Sequence, residues 1–423
     1  MNFFNAKSFA VVGASRHADK PGHIIFKNLL KTSKAYPINP NASNILNQQA
    51  YNDLLELPYQ VDCVIIVIPA HLVPEALEQA GKKGIKSAVI ISAGFSETGN
   101  KQLESQLIDI ANKYQIEIIG PNSLGFINPI TSVNASFYSG NIKKGKTAFI
   151  SQSGAIGSAI IDKIELSAFI SIGNAAQIGF SQLVDLFAKH EHTNKIALYM
   201  ESLKAKEGKP FLEACKKTRK QIITLKSGKT SAGRKAAKTH TAALSTPEGI
   251  YSGAFKQVKI IEVDSIYQLV KVSNCQFKIK NPCIITNAGG LGVLVSDYFY
   301  KEKISLQKLP KKAIKELSSF LPDAWNKNNP VDILGDATPE RYEKTLQVLE
   351  RYYDSLIVLL TPQHMTQPLE TAKRLCKFNK PVIACFVGSL YKSRNFLSKY
   401  ISVFDEPEDL ARVLSKLNPS IYN

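Results

Sequence analysis

The sequence predicts an α/β protein made of three Rossmann- or flavodoxin-like parallel-sheet domains in succession. Two observations carry this reading. From residue 8 onward, short runs of β-branched and other apolar residues alternate with helical stretches, the pattern of βαβ units whose sheet is covered on both faces. The alternation is interrupted twice, by the turn-former-rich stretch INPITSVNASFYSGNIKKGK and by a short segment around residues 277–282, and resumes each time with a new apolar strand.

In the first region, strands are expected at 8–12, 35–38, 63–68, 87–91 and 116–119, with helices starting near Gly22, Pro74 and Lys101. This gives a domain over residues 1–130. The second domain, 146–276, has strands expected at 148–150, 169–171, 196–199, 222–225 and 260–263, and helices starting near Gly154, Ser181, Pro210 and Pro247. The third, 282–423, has strands expected at 283–286, 355–360 and 382–386 and a closing helix over 406–417.

Composition narrows the functional classes. The 423 residues carry a formal charge of +18, which draws acidic ligands: nucleic acid, anionic lipid or phosphorylated metabolites. The lysines are spread through the chain without an aromatic-interleaved basic motif, so nucleic acid is not the expected partner. The longest apolar runs have strand length, well short of the roughly 20 residues of a membrane helix, so no membrane partner is expected. The start, MNFFNAKSFAVVGAS, leads straight into a strand, as expected of a cytosolic protein. The six cysteines lie far apart with no CxxC pair and read as buried thiols, and no metal site is expected in this chain.

The chemistry should sit at strand-to-helix junctions. The first strand ends in VVGASRHADKPGHIIF, where Gly13 permits a tight turn and the following helix offers free N–H groups to a phosphate. As a dinucleotide fingerprint it is incomplete, because Ser15 and Ala18 stand where GxGxxG needs glycine. IVIPAH, with Pro69, and IIGPNSLGFINP, with Asn122, are two more junctions along the same sheet, together suggesting a crevice for an extended, phosphate-bearing ligand. In the second domain, SQSGAIG places Ser151, Ser153 and Gly154 at a helix start; in the third, TNAGGLG does the same with Gly289 and Gly290. Two such termini, if aimed at one point, would hold a phosphoryl group. Between them, SGKTSAGRKAAKTHTAALS reads as a mobile loop. It does not match a P-loop in register, and His240 is its one side chain able to become a phosphorylated nucleophile near neutral pH.

In the order of these motifs, over nearly its whole length, the chain resembles the ADP-forming acyl-CoA synthetases, relatives of succinyl-CoA synthetase. GASR at 13–16, PINP at 37–40 and GPNSLG at 120–125 match the family's CoA-binding domain. SQSGAIG, SIGNAA at 171–176 and KTHTAALS around His240 match its phosphohistidine domain, and TNAGGLG and NPVDILGDA match its small ligase domain. The resemblance implies that Gly13, Ser15, Arg16, Asn39, Pro69 and Asn122 contact CoA and that Gly173 and Asn174 belong to the acyl pocket. It implies further that acyl-CoA and phosphate give an acyl phosphate, whose phosphoryl group passes to His240 and then to ADP. Glu201, in LYMESL, matches the carboxylate that hydrogen-bonds the other imidazole nitrogen. The sequence departs from the family at Ser245, where glycine is usual, and at Ser123, where cysteine or threonine is common. No stretch remains for the family's ATP-grasp region, so a second, beta-type ATP-grasp polypeptide is expected to bring ADP/ATP and Mg in a hetero-oligomer. Two alternatives stay open at this point: a CoA-binding regulatory protein without catalysis, and a nicotinamide-dependent oxidoreductase, against which the missing glycine already counts.

Overall fold

The structure, a computed structural model, describes residues 1–233, 235, 248–275, 279–378 and 380–418. The first sheet is parallel throughout, in the order β2-β1-β5-β6-β7, from β1 (Ser8–Val12), β2 (Lys34–Ile38), β5 (Cys63–Ile66), β6 (Ser87–Ile90) and β7 (Glu117–Ile119). A small hairpin of β3 (Asn44–Ile45) and β4 (Gln48–Gln49) follows β2. The strand expected over 63–68 stops at Ile66, where the chain turns through Pro69 into the 3-10 turn Ala70–Leu72.

The second sheet runs β14-β13-β12-β10-β11-β8-β9. Its parallel part is β10 (Lys144–Ser151), β11 (Leu166–Ser171), β12 (Lys195–Met200), β13 (Gln221–Lys226) and β14 (Ile261–Val263). Two strands that the sequence reading did not foresee, β8 (Gly125–Asn128) and β9 (Val133–Ser136), pair antiparallel at its edge, with Phe169 opposite Ile127. The third sheet is parallel, β16-β15-β17-β18-β19, built from β15 (Pro282–Thr286), β16 (Val331–Asp332), β17 (Ser355–Leu360), β18 (Val382–Phe386) and β19 (Ser402–Phe404).

The parallel strands of each sheet thus repeat one scheme, in which the first lies between the second and third. In such sheets ligands bind where the strand order reverses, outside the carboxyl ends of those two neighbours. The fold therefore singles out three points: the ends of β1 and β5, of β10 and β12, and of β15 and β17.

The chain divides into two compact units, Met1–Asn274 and Cys275–Asn423. The first holds two sheets with a continuous core between them, in which Phe3 and Phe4 from the N-terminal turn, Phe9 of β1 and Phe126 of β8 meet Phe187 and Ile150 of the second sheet's layers. The Phe3 and Phe126 rings meet edge-on with centroids 5.4 Å apart. Burial of each such ring contributes about 1.5–3 kcal/mol, which binds the two sheets into one unit. The second unit has its own core around Tyr342, Leu346, Val358 and Phe386. All six cysteines are free; five are buried and Cys376 is half-buried. Among the described residues, no helix is long and apolar enough to cross a membrane.

Candidate active site

At the first reversal point, a cavity of about 760 Å³ is lined by Gly13, Ser15, Lys20, Asn39, Asn41 and Pro69, among others. Its floor is fixed by backbone geometry. Gly13 has φ +91°, and a Cβ there would collide with the Val67 carbonyl, so only glycine lets β1 turn this close to β5. Asn39 ties the β1 and β2 ends together: its Nδ2 donates to the Ala14 carbonyl at 2.7 Å and its Oδ1 accepts the Asn41 N–H at 2.8 Å. The Ser15 hydroxyl accepts the His17 N–H at 3.1 Å. The helix begins at Pro21, later than an immediate strand-to-helix turn would give, and a proline at its start leaves one N–H fewer for an anion. Arg16 is exposed and donates to the Asn41 carbonyl at 3.3 Å; it is not among the residues lining the cavity.

A second cavity, of about 630 Å³, shares Pro21, Val67 and Ile68 with the first. It runs past Ile91, Ser92, Asn122 and Phe137 to Gln152, Ser153 and Gly154. The two together form one crevice, leading from the first sheet's reversal point to the carboxyl end of β10 in the second. Asn122, at φ +58°, is held by its N–H to the Ser92 carbonyl at 2.8 Å and by its side chain to Asn174 at 3.3 Å.

At the β10 end, the Ser151 hydroxyl donates to the Ser153 carbonyl at 2.6 Å, and the Ser153 hydroxyl caps the helix Gly154–Ile160 by accepting the Ile156 N–H at 3.3 Å. Both hydroxyls shape the helix start, and Gly154 and Ala155, whose N–H groups have no intrahelical acceptor, line the second cavity. The third sheet repeats the device: the Thr286 hydroxyl, last in β15, donates to the Ala288 carbonyl at 3.0 Å before the helix Gly289–Lys301. An Asp332 carboxylate oxygen would lie 2.7 Å from a Cβ at Gly289, whereas Gly290 faces open space.

Gly173 and Asn174 line neither cavity; they brace one. Gly173 (φ +52°) packs on the Pro121 and Asn122 carbonyls, and the Asn174 amide donates to Glu97 at 2.5 Å, Glu104 at 2.9 Å and Ser96 at 3.2 Å. Lys204 completes the group, 3.2 Å from Glu104. Burial pushes the Glu97 carboxyl up, but hydrogen bonds from Asn174 and the Gly94 and Phe95 backbone outweigh it and hold the group below the ordinary carboxylate value.

Glu201 follows β12 directly. Its N–H donates to Gln152 Oε1 at 2.8 Å and its carbonyl accepts from Lys226 Nζ at 2.7 Å. His240 lies outside the described residues. Gln152, Lys226, Phe137 and Glu97 were not singled out from the sequence. A lysine closing the apolar run IITLK was a usable signal for Lys226, because a buried lysine needs partners.

Comparison with known proteins accounts for this arrangement. Residues 7–129 match the CoA binding domain family, 144–275 the succinyl-CoA ligase like flavodoxin domain and 282–389 the ligase-CoA domain. The chain is 38% identical to acetate–CoA ligase (ADP-forming) II subunit alpha of Pyrococcus furiosus, over 97% of this chain and 95% of that one. It is 43% identical to the acetate–CoA ligase (ADP-forming) of Methanocaldococcus jannaschii, over 79% of this chain and 49% of that one, so it spans about half of that relative. A solved structure of Candidatus Korarchaeum cryptofilum dinucleotide forming acetyl-coenzyme A synthetase 1 with phosphate and ADP superposes with a TM-score of 0.94 at 32% identity, covering 100% of this chain and 96% of that one. With all three domain families in order and a relative matched along nearly its whole length, the chain belongs to the ADP-forming acyl-CoA synthetases, which are acid–thiol ligases, as an alpha-type subunit.

Proposed function

We propose that this chain interconverts a short-chain acyl-CoA and the free acid through an acyl phosphate and a phosphohistidine at His240. The observation that supports this best is the continuous crevice from Gly13 to Gly154. Its combined size suits an extended nucleotide carrying a thiol arm, with the phosphates near Gly13, Ser15 and Asn39 and the acyl group near Asn122 and Gln152. Phosphate attacks the thioester carbonyl and CoA leaves as thiol. The His240 imidazole then takes the phosphoryl group and releases the carboxylate, and an ADP oxygen finally takes it from the histidine to make ATP. Glu201 accepts a hydrogen bond from the N–H of the other ring nitrogen, fixing the tautomer and raising the ring's basicity. The helix starts at Ser151, Ser153 and Gly154 and at Gly289 and Gly290 each offer free N–H groups and a partial positive charge to a phosphoryl group.

In this reading the three domains, 1–130, 146–276 and 282–423, divide CoA binding, phosphohistidine chemistry and phosphoryl support. A beta-type ATP-grasp subunit supplies the ADP site and Mg, consistent with the subunit name of the Pyrococcus furiosus relative. Acetate is the first acid to test, and the cytoplasm, where CoA and ADP abound, is the expected location.

The experiment is site-mapped mass spectrometry of the chain incubated with acetyl-CoA and phosphate at neutral to mildly alkaline pH, then with an ATP-grasp partner and ATP. One phosphate on His240, absent from His240→Ala, is the expected result. No phosphate under either condition overturns the reading.

A further inference from the structure

We propose that Gln152 is a substrate-contacting residue of this site, donating its side-chain amide to a phosphate oxygen in the cavity while its carbonyl oxygen holds the Glu201 strand end. This rests on the proposed function and names a residue for it.

Gln152 comes directly after β10, at the reversal point of the second sheet, and its own N–H donates to the Tyr199 carbonyl of β12 at 3.1 Å. Its Oε1 accepts two backbone N–H groups, from Glu201 at 2.8 Å and from Ser202 at 3.0 Å. Two donors on one side-chain atom identify that atom as the oxygen, which fixes the orientation of the amide. The Nε2 group, with its two N–H donors, therefore points away from the Glu201 peptide. Among the described residues it has no protein partner, it is not a fully buried atom, and the side chain lines the second cavity beside Ser153 and Gly154.

An amide locked on its acceptor side and open on its donor side is an oriented donor, ready for an oxyanion without reorganisation. Its neighbours in the cavity, the first N–H groups of the helix Gly154–Ile160, are donors as well. The ligand at this end is thus an acceptor-rich group, and phosphate or the phosphoryl end of an acyl phosphate fits. Because the same amide anchors Glu201, the phosphate contact and the carboxylate that backs the histidine share one rigid element.

Two substitutions separate donor from anchor. In Gln152→Glu the introduced carboxylate still accepts the Glu201 and Ser202 N–H groups but has lost the donors and gained a charge that repels phosphate. In Gln152→Leu both functions go. Steady-state kinetics of the alpha subunit with its ATP-grasp partner, acetyl-CoA, ADP and inorganic phosphate should show KM for phosphate raised in Gln152→Glu by roughly tenfold to a hundredfold, the effect of losing a hydrogen bond to a charged group. KM for acetyl-CoA and the affinity for free CoA should stay near wild type. Gln152→Leu should add a fall in kcat as Glu201 loses its anchor. Wild-type phosphate kinetics in Gln152→Glu would reduce Gln152 to an anchor and overturn the proposal, and a rise in KM for acetyl-CoA alone would place the amide on the thioester and overturn it as well. Failure of the underlying reading looks different: wild type itself would form no ATP from any acyl-CoA.

Discussion

Lys226, the last residue of β13, donates its ammonium to the backbone carbonyl of Glu201 at 2.7 Å, to the Ser227 carbonyl, and lies 4.6 Å from the centre of the Tyr251 ring. It thus joins the strand end that carries Glu201 to the first residues of the segment leading to His240. Burial lowers its pKa from 10.5 to about 8, with Glu201 opposing the shift. Between these values the unfolded chain holds the proton that the folded chain has lost, so this contribution to stability rises as pH goes from about 8 to 10.5 and is flat below. Denaturation of wild type and Lys226→Met across that range should show wild type gaining on the variant as pH rises; parallel curves would mean that the buried lysine keeps its proton. Turnover of Lys226→Met should fall roughly tenfold, the equivalent of one hydrogen bond to a charged group.

His240→Ala should abolish the phosphorylated species and overall turnover while leaving CoA affinity unchanged, because the described residues that line the proposed CoA crevice come from the first sheet and the β10 end. Isothermal titration with CoA, beside intact-mass measurement, checks both halves.

Gly13→Ala places a methyl against the Val67 carbonyl at a positive φ. The expected cost is about 1–3 kcal/mol of stability and a loss of CoA affinity of at least roughly tenfold, since the turn must open at the proposed CoA site. Acetyl phosphate, which bypasses CoA, should still phosphorylate His240 in this variant. Loss of that reaction would indicate that the whole unit had been disturbed.

Asn174→Leu removes the amide shared by Glu97 and Glu104 and leaves two half-buried or buried carboxylates facing one another. The predicted loss is about 1–3 kcal/mol. In wild type, Glu97 contributes stability that is present above its unfolded value of about 4.5 and is lost as pH falls through its lower folded value. The variant lacks this contribution, so its deficit relative to wild type should be full above about pH 4.5 and shrink as pH falls through the lowered value, read by denaturant unfolding of both proteins across that range with circular dichroism.

The parallel strands were legible because they are buried on both faces: every residue of Cys63–Ile66 and of Ser355–Leu360 is buried, and such runs stand out as continuous apolar segments. β8 and β9 escaped because GFIN has neither that continuity nor a clean alternation, and VNAS alternates over only four residues inside a stretch rich in turn formers. Their polar residues are satisfied by distant partners, such as Asn128 donating to the Phe4 carbonyl at 3.1 Å. In the site, the glycines and small polar residues at strand ends were readable as turn chemistry, and His240 and Glu201 came through the family resemblance. Gln152 could not be read this way, and for Lys226 the run IITLK signals a buried lysine but not what it holds. Their partners lie one strand over, and that β12 sits between β10 and β13 is a fact of topology, not of local sequence.

The antiparallel pair β8–β9 also governs where this protein can be divided. Residues 125–136 follow the last strand of the first sheet in the chain, yet they complete the edge of the second, with Ile170 opposite Phe126. A cut between 129 and 144, where the domain families meet, would strip the second sheet of its border and open the shared aromatic core. Residues 1–274 should therefore melt in a single cooperative transition and resist limited proteolysis in that interval. Any gene rearrangement that parts CoA binding from phosphohistidine chemistry has to hand residues 125–136 to the second piece.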